Sequence, residues 1–137
     1  MAKLLIAEDD ESQRFLYQEE LQEEGYEVVL AKNGRDALKC LEGTLFDLIM
    51  LDIRMPERNG IEALGKITSR YKKTPVILYT AYPEYRNRSI ASLADAFIIK
   101  SSDLSPLKKT VKELLEEKKK RKEKRRWQKN KNTGKKE

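Results

Sequence analysis

Leu48-Ile49-Met50-Leu51 is a short apolar run, and it ends in Asp52, with Ile53-Arg54-Met55-Pro56 following and Gly60 close behind. Three other runs have the same form. Leu4-Leu5-Ile6-Ala7 ends in Glu8-Asp9-Asp10-Glu11, Val76-Ile77-Leu78-Tyr79 ends in Thr80, and Phe97-Ile98-Ile99 ends in Lys100. Apolar runs this short, separated by helical patterns, read as buried strands of a parallel sheet. Parallel strands deliver their carboxyl ends to one edge, where α/β proteins place their sites. Acid, acid, hydroxyl and amine are therefore expected in one crevice, although they are far apart in the chain.

That combination has a definite chemistry. Two or three carboxylates hold a hard cation such as Mg²⁺, which prefers oxygen ligands and keeps waters for a phosphate. A carboxylate such as Asp52 can act as a nucleophile toward phosphorus and form an aspartyl-phosphate. Phosphoryl transfer depends mainly on positioning and charge neutralisation, which a metal, a Lys and a hydroxyl supply. Taken singly, each residue has a plainer reading. Asp52 reads as a cap or turn residue, Glu8 to Glu11 as a solvated first turn, Thr80 as a strand residue, Lys100 as a surface charge and Phe97 as core.

The order acidic pair, Asp, Thr, Lys at strand ends, with Asp52-Ile53-Arg54-Met55-Pro56 and Gly60, resembles the receiver domain of two-component response regulators over about residues 3 to 117. The likeness is to the chemotaxis-type, stand-alone receiver. It implies that Asp52 is the phosphoacceptor and that Glu8 and Asp9 bind Mg²⁺ together with Asp52. Arg54 stands where the family offers a backbone carbonyl to the metal. Placing Arg14 at the basic position of the first helix makes Glu8-Asp9, rather than a pair including Asp10, the acidic pair. Thr80 resembles the switch hydroxyl, Lys100 the phosphate-pairing amine, and Phe97 the aromatic that changes rotamer on activation. One position departs from the pattern: Ser101 follows Lys100 where the family usually has Pro, often after a cis bond. A non-proline cis bond costs about 2.5–4 kcal/mol, so a trans bond is expected.

Alternating elements imply an α/β fold, a doubly wound five-stranded parallel sheet in the flavodoxin-like order 2-1-3-4-5 with helices on both faces. Strands are expected at about Lys3 to Ala7, Tyr26 to Ala31, Asp47 to Leu51, a run opened by Pro75, and Phe97 to Ile99. Phe15, Leu16 and Leu21 suggest a first helix closed by Gly25, and Asn33 is placed to cap a second over Arg35 to Leu41. Ile61, Leu64 and Ile67 mark a third, and a short, weakly apolar fourth is expected over roughly Glu84 to Leu93. Ser105-Pro106 reads as a cap and first helical position, with Leu107, Val111, Leu114 and Leu115 as the apolar face of the last helix.

A chain of 137 residues suits one domain with a sizeable core. One Cys rules out an internal disulfide, and Cys40 reads as helix packing. The chain has no His, so His-based metal sites and His-dependent acid–base catalysis are excluded, and any phosphohistidine donor is another protein. Neither a signal peptide nor a bilayer-spanning run is evident, and a cytoplasmic location is expected.

The net charge of +6 conceals a division. Residues 1–117 hold 17 Lys+Arg and 21 Asp+Glu, a charge of −4, whereas residues 118–137 hold 12 and 2, a charge of +10. A receiver over residues 1–117 is thus followed by a basic tail, expected to extend the last helix and to be disordered from Asn130. With one aromatic, Trp127, the tail reads as a solvated linker or as an arm for nucleic acid, an acidic partner or a membrane surface. No output domain with an apolar core is expected after residue 117.

The leading expectation is a signalling phosphoacceptor rather than an enzyme with a separate substrate. It takes a phosphoryl group from a sensor kinase or phosphotransfer protein and alters binding of a downstream target, or forms a homodimer, through its fourth-helix, fifth-strand and fifth-helix face. The alternative is a nucleic-acid- or acidic-partner-binding protein acting through the tail. A phosphatase built on an aspartyl-phosphate is expected to carry an acid at position 54, where Arg54 stands. A flavodoxin needs a phosphate loop where Glu8 to Glu11 repel phosphate.

Overall fold

The computed structural model describes residues 1–53 and 60–134. Its elements are β1 (Lys3–Ala7), α1 (Glu11–Glu23), β2 (Glu27–Ala31), α2 (Gly34–Gly43), β3 (Leu48–Leu51), α3 (Gly60–Arg70), β4 (Val76–Thr80), two 3₁₀ turns (Pro83–Asn87 and Ser89–Leu93), β5 (Ala96–Ile99) and α4 (Ser105–Gly134). The five strands are all parallel, in the order β2-β1-β3-β4-β5. The most apolar run, β3, is central, as its composition predicts.

Alternation along each strand builds a core on each face of the sheet. Leu5 and Ala7 of β1 join Ile49, Leu51 and Leu78 beneath α2 and α3. Leu4 and Ile6 join Leu48, Met50, Ile77 and Tyr79 beneath α1 and α4, where Leu107, Val111 and Leu114 seat α4. Each such aliphatic side chain removed from water is worth about 1.5–3 kcal/mol. Cys40 is half-buried on α2 against the first of these cores, and burial pushes its thiol pKa up.

Local punctuation follows the sequence in two places. Gly25 adopts φ +95° just after α1, the left-handed conformation that glycine tolerates. Asn33 caps α2, its side chain accepting from the Asp36 N–H at 2.8 Å. Elsewhere the chain differs from expectation. The buried residues of α1 are Tyr17 and Leu21, whereas Phe15 and Leu16 are exposed. The helix expected over Glu84 to Leu93 is instead two short 3₁₀ turns, broken at Arg88, which is extended. Only Ala91 of that stretch is buried, so no apolar stripe long enough to seat a helix exists there. At α4 the helix begins one residue early. Ser105 is helical, its N–H is taken by the Asp103 carboxylate at 3.0 Å, and the Lys108 N–H bonds to Leu104 O at 3.0 Å.

Of the end expected to be disordered from Asn130, residues 130–134 belong to α4, and the remainder lies outside the described residues. Residues 118–131 are mostly Lys and Arg, good helix formers, and no Gly or Pro interrupts them before Gly134. The Lys100–Ser101 bond is trans, since no described residue has a cis peptide bond.

Candidate phosphoacceptor and metal site

Backbone hydrogen bonds continue the sheet one step past its strand ends and so place the site residues. The Glu8 N–H donates to Ala31 O at 3.1 Å, the Asp52 N–H to Ala7 O at 3.1 Å, and the Lys100 N–H to Thr80 O at 2.8 Å. The three side chains therefore emerge side by side. Lys100 Nζ donates to Glu8 Oε1 at 2.6 Å, to Asp52 Oδ2 at 2.8 Å and to Gln13 Oε1 at 2.7 Å. All three donors of the ammonium are thereby used.

Carboxylate oxygens of Glu8, Asp9 and Asp52 lie within 4.8 Å of one another. Glu8 is 2% exposed and Asp52 7%, while Asp9 faces solvent. Burial, then the neighbouring Asp52, pushes the Glu8 pKa up to about 8, despite the opposing Lys100. For Lys100, burial disfavours the ammonium, but Asp52 and Glu8 outweigh it and hold its pKa above the ordinary lysine value. Glu8 Oε2 is buried without a hydrogen-bond partner. An orphaned carboxylate oxygen beside two further carboxylates is a donor set suited to a hard divalent cation, and Mg²⁺ fits it.

Asp10, set aside from the acidic pair by the position of Arg14, is the N-cap of α1, accepting from the Gln13 N–H at 2.9 Å. Capping occupies Asp10 and leaves Glu8 and Asp9 as the facing pair. Arg14 fixes their loop by donating to the backbone carbonyls of Glu8 and Asp9, both at 2.9 Å. Gln13 was not foreseen. Its position three residues after the capping Asp10 was its only signal, since a helix start at Asp10 turns Gln13 back over the strand end. Tyr17 donates to the same Gln13 oxygen at 3.2 Å and meets Tyr79 edge-to-face with centroids 5.4 Å apart.

Thr80 is fully buried, and its Oγ accepts from the Tyr82 N–H at 3.3 Å. Phe97 is half-buried on β5, with the Arg86 guanidinium 5.3 Å from its ring centroid. Arg54, expected to present its carbonyl to the metal, lies outside the described residues, as does Pro56. Gly60 is explained by contact: a Cβ there would sit 2.0 Å from Asp52 O and 2.6 Å from Ile53 Cα. Its N–H bonds to Ile53 O at 2.8 Å, so the start of α3 lies directly on the turn that carries Asp52.

Comparison with known proteins agrees with this geometry. The family model described as the response regulator receiver domain matches residues 4–112. The regulatory protein AtoC of Escherichia coli is 37% identical over 116 residues, covering 83% of this chain and 25% of that protein. The chain thus spans about a quarter of the length of such curated relatives. The response regulator TrrA of Thermotoga maritima, solved in complex with Mg²⁺ and BeF, superposes with a TM-score of 0.81 at 42% identity, covering 83% of this chain and 99% of that one. A structure of TrrA bound to the histidine kinase ThkA gives a TM-score of 0.80 at 43% identity, with coverages of 84% and 99%. A CheY-like receiver domain protein of Methanospirillum hungatei gives 0.82 at 31%, covering 88% and 98%. With the strand order, the three-carboxylate cluster and the family match in agreement, the chain belongs to the response regulator receiver domain family.

Proposed function

We propose that the chain accepts a phosphoryl group on Asp52 from a phosphohistidine of a sensor kinase or phosphotransfer protein, and that the modified site changes the surface offered to a downstream partner. The observation that carries this reading is the bond from Lys100 to Asp52 beside the Glu8–Asp9 pair. Asp52 Oδ attacks the incoming phosphorus, the P–N bond to the donor imidazole breaks, and the imidazole leaves with the electron pair. Lys100 can then follow the new charge from the carboxylate to the phosphoryl oxygens. Held by Glu8, Asp9 and Asp52, Mg²⁺ would neutralise charge on the transferring group. The kinase-bound form of TrrA supports a kinase as the partner.

In this reading Thr80 bonds the phosphoryl group once its hydroxyl leaves the turn with Tyr82. Phe97 then follows inward and releases Arg86, changing the surface of the 3₁₀ turns and β5. This couples a charge event to packing, as a two-state element requires. A cytoplasmic location and dimerisation on phosphorylation belong to the same reading. Binding of nucleic acid through the basic part of α4 is the second reading, favoured by its charge.

Intact mass after treatment with acetyl phosphate and Mg²⁺ tests the first. Wild type is expected to gain one phosphoryl mass and Asp52→Asn none. Equal labelling of the variant overturns the assignment. Thr80→Ala is expected to be labelled yet to respond weakly in partner binding or dimerisation.

A further inference from the structure

At the amino edge of the sheet, opposite Asp52, two rows of cations face each other. A groove of about 200 Å³ is lined by Lys72, Lys73, Lys118, Arg121, Lys122 and Arg125, with no acid among them. One wall is the turn between α3 and β4. The other is α4, where positions 118, 121, 122 and 125 share one helical face. That face runs for about 10 Å and continues to Lys129 at the same spacing. Lys118 is anchored by Asp47, 3.6 Å away, which fixes where α4 crosses the sheet edge. Among the described residues, Lys72, Lys73, Arg121, Lys122 and Arg125 have no ion-pair partner.

We propose that this groove binds the phosphate backbone of nucleic acid. Apart from Lys118, these cations have no counter-charge among the described residues and repel one another, and a phosphate backbone lying across both walls relieves that repulsion. A helix that lies on a bilayer needs an apolar face. Beyond residue 117 the described part of α4 offers only Trp127 as an exposed large apolar side chain. Nucleic acid supplies the continuous charge row that matches the α4 face, and with no built contact to base edges the binding is independent of sequence. The site is built jointly by the domain and the helix, so it differs from a free polycationic tail.

The full chain is titrated against a fluorescein-labelled DNA duplex, with anisotropy read across a salt series. Lys72→Glu/Lys73→Glu is expected to weaken binding about tenfold or more and to lower the logarithmic salt slope by about 2, near one per lost phosphate contact. Arg35→Glu/Lys39→Glu makes the same charge change at exposed positions of α2 and is expected to shift binding less than twofold. Equal weakening by both pairs shows a net-charge effect and overturns the groove. No change from the Lys72/Lys73 pair shows that the tail acts alone, and overturns it too. Displacement of the duplex by polyglutamate or by phosphatidylserine vesicles at lower charge concentration than by unlabelled duplex assigns the groove to another partner and rejects nucleic acid. Asp52 labelling by acetyl phosphate, kept in each variant, confirms the fold.

Discussion

The two edges of the sheet carry opposite charge under opposite conditions. At the carboxyl edge, Glu8, Asp52 and Lys100 are withdrawn from water and bonded to one another within 2.8 Å. At the amino edge, cations stand apart in solvent along α4 and the turn after α3. A charge out of water depends on its partner, and loss of that partner leaves an uncompensated group. A charge in water acts mainly through the sum to which it belongs, because screening removes most pairwise energy. Single substitutions should therefore be severe at the first edge and mild at the second.

Lys100→Met is expected to show the contrast most strongly. Without added metal it leaves Asp52 and Glu8 facing each other, at a cost of about 3–5 kcal/mol. Urea unfolding measures this, and a loss below about 1 kcal/mol would mean that the edge is more hydrated than its geometry implies. Gly60→Ala is next, at about 3 kcal/mol, the upper range for overpacking, because the added methyl meets backbone that carries Asp52. An unperturbed melting temperature would show that α3 can shift away from the turn.

Removing a charge can also stabilise this edge. Asp9→Asn relieves repulsion with Glu8 and Asp52, and in EDTA it should raise stability by about 1 kcal/mol, or roughly 4 °C in melting temperature. The gain that Mg²⁺ gives wild type should vanish in this variant, and an unchanged Mg²⁺ response would remove Asp9 from the ligand set. The smallest effect is expected at the other edge. Lys119→Gln, alone on the exposed length of α4, should change stability by less than about 0.5 kcal/mol. A larger loss would give that charge a bonded role that the exposed helix does not display.

Much of this contrast was legible in the chain. Strand ends could be read because each buried strand is an unbroken apolar run and its first polar residue marks the sheet edge, as at Asp52, Thr80 and Lys100. The acidic pair needed a choice between Asp9 and Asp10, which capping geometry resolves. The role of Gln13 depends on where α1 begins relative to β5, and its spacing from Asp10 marks the helix start without marking the approach of Lys100. The short helix expected over roughly Glu84 to Leu93 rests on a weak apolar pattern, and with only Ala91 buried there no packing supports one. Disorder was expected after Asn130 from charge alone, whereas residues such as Lys, Arg and Gln also favour a helix. The approach of the α3–β4 turn to α4 joins residues almost fifty positions apart, and nothing in the sequence marks it.

The length of α4 has a mechanical meaning. Its first four turns are clamped to the sheet by Leu107, Val111 and Leu114, and Lys118 is the last anchored point. From there to Gly134 the helix runs about 25 Å, with its side chains from Lys119 to Lys131 exposed. A rigid rod held at one end is a lever. A tilt of about five degrees at the clamp moves its far end by about 2 Å. Tyr79, edge-to-face with Tyr17, lies in the same packed layer as that clamp and one residue before Thr80. By the same geometry, a sub-ångström repacking of that layer would be enlarged several-fold at the tip.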